Sequence, residues 1–318
     1  MRLVMMGTGP FAVPTFGELY ATSHTVVALV TSPLRPARGA EPAPGSFIRE
    51  VALQHGTPIF DPQDVNSPES RAHLGTYQAD LLVTCDYGQI LTGETLATAR
   101  LGGINLHASL LPKYRGAAPI NWALYYGETE TGVTVIHMTP QVDAGPCIAQ
   151  LATPIGPAET APQLEARLAE LGAELARQTI DALGMGPMQA LPQDPTLASK
   201  APRLKKTDGA IDWSRPAAAI GNQIRAFEPW PKCYTYWHRA AGAPVRLIVG
   251  PIEAIDAPPT VAEPGTVLEA AGDRILIATG HQAARLTQLQ PAGKRPLGIE
   301  DFLRGYRVQV GDRLGDER

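Results

Sequence analysis

A chain of 318 residues is longer than one ordinary core organises, so two domains are expected. Its composition, 44% hydrophobic and 18% charged, is that of a globular protein, and three scattered cysteines, Cys85, Cys147 and Cys233, exclude both a disulfide framework and a cysteine metal cluster. The net charge of -4 divides unevenly: residues 1–199 carry 10 Lys and Arg against 18 Asp and Glu, whereas residues 200–318 carry 17 against 13. A basic second part suits a phosphate-bearing partner. "MRLVMMG" is too short an apolar run for a signal peptide, and no run reaches the roughly eighteen apolar residues of a membrane span. No membrane partner and a cytoplasmic location are therefore expected.

In chain order, "RLVMMG" reads as a first buried strand. It runs into "GTGPFA", where Gly7, Gly9 and Ala12 have the spacing of a dinucleotide fingerprint. The acid that would hold a ribose is missing at the end of the second strand, "TVVALVTS", so NAD is not expected and the turn is read as a strand-to-helix connection. A helix is expected over 46–55, then the strand "DLLVTC" with the turn "DYGQIL", and then "GGINLH". Further on come a helix over 118–126 and the strands "GVTVIHM" and "CIAQLATPI". The rhythm is that of a mostly parallel α/β sheet covered on both faces. Leu164, Leu168, Leu171, Leu175 and Ile180 then mark one stripe of a long amphipathic helix that closes the domain.

The composition breaks between 186 and 207, where Pro187, Pro192, Pro195 and Pro202 punctuate polar sequence. An inter-domain linker is expected there, ending in the cations Lys200, Arg203, Lys205 and Lys206. Those cations read equally as a solvated surface or as a phosphate contact. After a helix beyond Trp213, short runs such as "CYTYW", "VRLIVG" and "RILIATG" separated by Gly and Pro predict a small β-barrel. The expected division is 1–189, linker 190–207, and 208–318.

Chemistry concentrates at the end of "GGINLH". Alternation puts Asn105 and His107 on one face, about 7 Å apart, so both can address one small group. Alone, the two could be strand-end polar residues satisfied by backbone. Asp143 follows the next strand, and if that strand is parallel its carboxyl end meets theirs. Amide donor, imidazole and carboxylate then suit acyl transfer. No G-x-S-x-G is present, so the nucleophile is expected to come from the substrate. No cluster has metal-ligand spacing, and no metal is expected.

The stretch "INLHASLLPKYRGAAPI" with "VDAGPCI" resembles the 10-formyltetrahydrofolate-dependent formyltransferases. Through "MGTGPFAVPTF", "GAAPINWAL", "KKTDGAIDWSRPA", "IRAFEPWP" and "LQPAGKRPL" the likeness runs over essentially the whole length, to the branch acting on initiator methionyl-tRNA. It implies a Rossmann-type domain, an OB-like barrel, and transfer of formyl from 10-formyltetrahydrofolate to the amino group of initiator methionyl-tRNA. Asn105, His107 and Asp143 fall on the family's catalytic positions. Ser109, Leu110, Leu111 and Pro112 fall on its folate contact, with Tyr87, Gln89 and Ile90 as a pterin wall or a plain loop. The family's tRNA-entering loop corresponds to residues 31–50, with Arg35 and Arg38 but Glu41 and prolines where lysines are usual. Lys200, Arg203, Lys205, Lys206, Lys294 and Arg295 are the other candidate phosphate contacts, and a monomer is expected. Two rivals remain: a formyltransferase acting on an amino-sugar nucleotide, and an RNA-binding protein without activity.

Overall fold

The computed structural model describes residues 1–34, 46–239, 242–256 and 262–317. Arg35 and Arg38 lie outside the described residues. Two compact units divide the chain: Met1–Pro119, Glu130–Ile155 and Gln163–Pro202 form the first, and Ile120–Thr129, Gly156–Pro162 and Arg203–Arg318 the second.

In the first unit β1 (Arg2–Met6), β2 (Thr25–Val30), β3 (Ile59–Phe60), β4 (Leu81–Cys85) and β5 (Gly103–His107) run parallel in the order β3-β2-β1-β4-β5. Their apolar runs do not alternate because both faces are covered; Leu3 to Met6 and Leu81 to Cys85 are buried throughout. The covering helices include α1 (Ala12–Leu19), α2 (Ser46–Gln54), α3 (Pro68–Thr76) and the short α4 (Gly93–Leu96). Beyond β5 come β6 (Arg115–Gly116), α5 (Pro119–Tyr125, which from Ile120 on belongs to the second unit), β7 (Glu130–His137), β8 (Cys147–Pro154), α6 (Ala161–Met185) and β9 (Lys200–Ala201). Leu164, Leu168 and Ile180 of α6 are fully buried, as its stripe predicts.

The G-x-G turn serves packing. Thr8 gives both its N–H and its hydroxyl to the carbonyl of Asp86, and a Cβ on Gly9 would overlap the Asp86 carboxylate. Glycine there lets the ends of β1 and β4 lie side by side.

The sheet corrects one expectation. β7 is antiparallel to β5, with Ile104 opposite His137 and His107 opposite Thr134, and β8 reverses again to form the edge. The connection from β5 to β7 runs through residues 120–129, which belong to the second unit. In the antiparallel ladder the end of β7 lies beside the start of β5. Leu191 exchanges two backbone hydrogen bonds of 2.8 Å with Cys147, and β9 pairs in parallel with β6. Residues 191–201 are thus held along the first unit, and the chain passes into the second at Arg203.

The second unit carries α7 (Ala217–Ala226), β10 (Cys233–His238), β11 (Val245–Val249), β12 (Ile252–Ile255), β13 (Val267–Ala271), β14 (Arg274–Ala278), β15 (Ala283–Leu286), β16 (Gln288–Pro291), β17 (Leu297–Gly298), α8 (Ile299–Gly305) and β18 (Arg313–Gly315). Its strands form two antiparallel sheets, β17-β16-β11-β10-β18 and β12-β15-β14-β13. β10 alternates, burying Cys233, Thr235 and Trp237, as a one-sided antiparallel strand should. Beneath it the indole of Trp213 donates to Thr235 at 3.0 Å. Among the described residues no helix is long and apolar enough to cross a membrane.

Candidate active site at the end of β5

His107 closes β5 almost fully buried, with its Nε2 2.9 Å from the carbonyl oxygen of Tyr114. A carbonyl only accepts, so Nε2 carries the proton. Nδ1 then faces the site, 3.6 Å from Oδ2 of Asp143. That separation exceeds a direct hydrogen bond but brings the carboxylate within ion-pair distance of the ring.

Asp143 reaches this position by an indirect route. Because β7 runs the other way, the loop after it must fold back over the sheet, and it does so with Asp143 in the left-handed region at φ 50°. Oδ1 accepts from the Asn105 amide at 3.3 Å and Oδ2 from the Gly116 N–H at 2.9 Å. Gly116 itself sits at φ 126°, where a Cβ would meet the carbonyl oxygen of Ala201 at 2.5 Å. The structure thus brings Asn105, His107 and Asp143 together. Asn105 uses one amide hydrogen on Asp143 and keeps a second for a ligand oxygen.

The Ser109–Pro112 turn follows immediately. Ser109 is fully buried and its hydroxyl donates to the Lys113 carbonyl at 2.7 Å, so it shapes the turn. Leu111 is buried, whereas Leu110 and Pro112 keep partial exposure. Sequence reasoning missed what fixes this turn. The buried Thr134 of β7 accepts from the Leu111 N–H and donates to the Ser109 carbonyl. Gln150 of β8 donates to both the Leu111 carbonyl and Thr134. Thr134 sits opposite His107 in the ladder, but only an antiparallel register makes that visible.

The three residues of "DYGQIL" part ways. The ring of Tyr87 packs against the apolar cluster that includes Val30 and Leu91. Burial, with a smaller push from Asp64, raises its phenol well above the usual range, and among the described residues its hydroxyl has no hydrogen-bond partner. Gln89 spends both ends of its amide on backbone, accepting from Val65 and donating to Pro62. Ile90 is 60% exposed and offers apolar surface. An open amide donor beside a half-buried Leu-Pro edge suits a largely apolar ligand oriented by one polar group. Among the described residues no group of three His, Cys, Asp or Glu side chains is placed to hold a metal.

The cations are spread over both units. Lys200 belongs to β9 of the first. Arg203, Lys205, Lys206, Lys294 and Arg295 belong to the second and are all exposed.

The formyl transferase model matches residues 1–180, and the model for the formyl transferase C-terminal domain matches 203–307. The methionyl-tRNA formyltransferase of Rhodopirellula baltica is 42% identical, covering 99% of this chain and 96% of its own length. That of Geobacter sulfurreducens is 39% identical, at 99% and 97%. Among solved structures, an N-formyltransferase from Helicobacter canadensis, in complex with folinic acid and dTDP-3-aminofucose, covers 91% of this chain with a TM-score of 0.68 at 17% identity. HypX from Aquifex aeolicus in complex with tetrahydrofolic acid covers 98% of this chain and 50% of its own, with a TM-score of 0.61 at 16% identity. Both share the fold. The chain belongs to the formyl transferase family, and its full-length likeness is to the methionyl-tRNA formyltransferases within it.

Proposed function

We infer that this chain transfers the formyl group of 10-formyltetrahydrofolate to the α-amino group of initiator methionyl-tRNA. The observation that carries the reading is the likeness to methionyl-tRNA formyltransferases through both units, at about 40% identity over nearly the whole length. The supporting geometry is the meeting of Asn105, His107 and Asp143.

The free amine attacks the formyl carbon, forming the new C–N bond, and the bond to N10 of the folate breaks. Asn105 donates its remaining N–H to the developing oxyanion, which is worth roughly 10²–10³ in rate. His107 takes the amine proton at Nδ1 and returns it to the departing N10, a positioned transfer worth typically about 10²–10⁴. Asp143 stabilises the ring while it is charged. Ser109, Leu110, Leu111 and Pro112 form the folate edge with Ile90, and Gln89 and Tyr87 support it from behind. Arg35, Arg38, Lys200, Arg203, Lys205, Lys206, Lys294 and Arg295 are the proposed tRNA contacts of a monomer.

The two sheets of the second unit are proposed to act as one OB-like barrel spanning 208–318. In support, Thr266 and Arg313 form an isolated bridge between the outer strands, and the N–H groups of Val267 and Leu314 donate to Asp312 and Gly265. A catalytic domain of 1–189 and a basic connection of 190–207, whose first part runs paired along the first unit before the chain enters the second at Arg203, complete the proposed division.

A second reading, formylation of an amino-sugar nucleotide, is favoured by the fold likeness to the Helicobacter canadensis protein. One competition experiment separates the two. Charged initiator tRNA, charged elongator tRNA and an amino-sugar nucleotide are offered together with labelled 10-formyltetrahydrofolate. Label on initiator methionyl-tRNA is expected; label on the sugar alone overturns the reading.

A further inference from the structure

Asp143 stands on a loop that must fold back over the sheet, in a backbone conformation that L-residues adopt at a cost. Something has to hold it there. The side chain that does so comes from fifty residues later: the Gln193 amide nitrogen donates to the carbonyl of Asp143 at 2.8 Å and to that of Gly145 at 2.7 Å. Its carbonyl oxygen accepts from Arg115, at 3.0 Å from Nε and 2.7 Å from Nη2. All four hydrogen-bonding capacities of the amide are used. The amide can face only one way, because turning it over would set N–H against guanidinium and oxygen against two carbonyls.

The ends of this brace are themselves fixed. Leu191, two residues before Gln193, is paired with Cys147 on β8. Arg115 is anchored through its backbone N–H to the carbonyl of Ser199 at 2.8 Å, and the next residue, Gly116, donates to the Asp143 carboxylate. Backbone and carboxylate of Asp143 are therefore held from two sides by one rigid piece.

We propose that Gln193, oriented by Arg115, is a positioning residue that sets Asp143 against Asn105 and His107 for formyl transfer. The proposal rests on the catalytic reading of the trio above. Gln193 touches no reacting atom, so its effect must pass through Asp143. A misplacement of about 1 Å can cost on the order of 10²-fold in rate.

The test is a double-mutant cycle in the full-length protein, read as steady-state formylation of methionyl-tRNA with kcat and both KM values measured. Gln193→Met, of similar length and without donors, is expected to lower kcat about ten- to a hundredfold and to leave both KM values within about threefold. In an Asp143→Ala background the same substitution should lower kcat no further. A wild-type kcat in Gln193→Met, a rise in KM with kcat unchanged, or an equal loss in both backgrounds would each overturn the proposal. Near-wild-type turnover in Asp143→Ala would instead sink the catalytic reading beneath it. Should Gln193→Met not fold, Gln193→Glu keeps the pairing with Arg115, removes the two donors, and carries the same expectation.

Discussion

The imidazole of His107 donates from Nε2 to the backbone carbonyl of Tyr114, seven residues further along the chain. This bond fixes the tautomer and the ring plane together, leaving Nδ1 as the nitrogen free to exchange a proton beside Asp143. The ring is oriented by backbone, so its orientation does not depend on Asp143 alone.

Because three side chains act on one transition state, their losses should not add. Asn105→Ala is expected to lower kcat by about 10²–10³ and His107→Ala by about 10²–10⁴, with folate and tRNA binding changed much less. The double variant should lose little more than the worse single one. Steady-state kinetics on the single and double variants checks this, and near-wild-type turnover in either single variant would remove that residue from the site.

Thr134→Val keeps the shape and deletes the hydroxyl on which the Ser109–Leu111 turn hangs. It strands the Leu111 N–H and the Ser109 carbonyl in a buried place. An unsatisfied buried group costs about 1–3 kcal/mol. Denaturant titration should show that loss, and isothermal titration should show weaker folate binding.

Gly116→Ala forces a Cβ into the Ala201 carbonyl at a backbone angle that side chains avoid. Strain of this kind costs about 1–3 kcal/mol. The Gly116 N–H must also move away from Asp143, so kcat should fall while folate affinity holds. Unchanged kcat with lowered stability would mean that the contact with Asp143 is incidental.

Lys205 and Lys206 project from the start of the second unit with exposed side chains. If both contact phosphate, neutralising them together should flatten the slope of log affinity for tRNA against log salt by up to about 2, with folate binding intact. An unchanged slope would leave the other cations to account for the attraction.

Burial pushes the thiols of Cys85 and Cys233 well above the usual range, and Asp86 and Glu228 add to the effect. A raised pKa keeps S–H protonated as pH climbs, so at pH 8 each holds less reactive thiolate than a free cysteine. Half-buried Cys147 is raised too, with Arg115 opposing the shift. Alkylation of the native protein followed by peptide mass spectrometry should label Cys147 first. In denaturant all three should react alike.

The pair Asn105 and His107 was legible from alternation because one strand determines their common face. Asp143 was legible as a residue but not by its path. The parallel neighbour expected of β7 is antiparallel, and the meeting depends on a loop whose fold-back leaves no periodic trace. Thr134, Gln150 and Gln193 were not legible at all. Each is an ordinary polar residue whose role depends on which backbone passes beside it, tens of residues away in sequence. The long helix was legible because its stripe is periodic, whereas the docking of residues 191–201 was hidden behind prolines that look like a linker.

Residues 120–129 and 156–162 belong to the second unit although the sequence on either side of each belongs to the first. In them Trp122 and Tyr125 lie against Phe227, and Arg225 donates to the carbonyls of Gly156 and Glu159. A hybrid joined at residue 202 would inherit these two inserts from one parent and their partners from the other. Recombination between relatives therefore has to carry three segments as a set, and a single crossover near the apparent linker should yield poorly packed progeny even where both parents are stable.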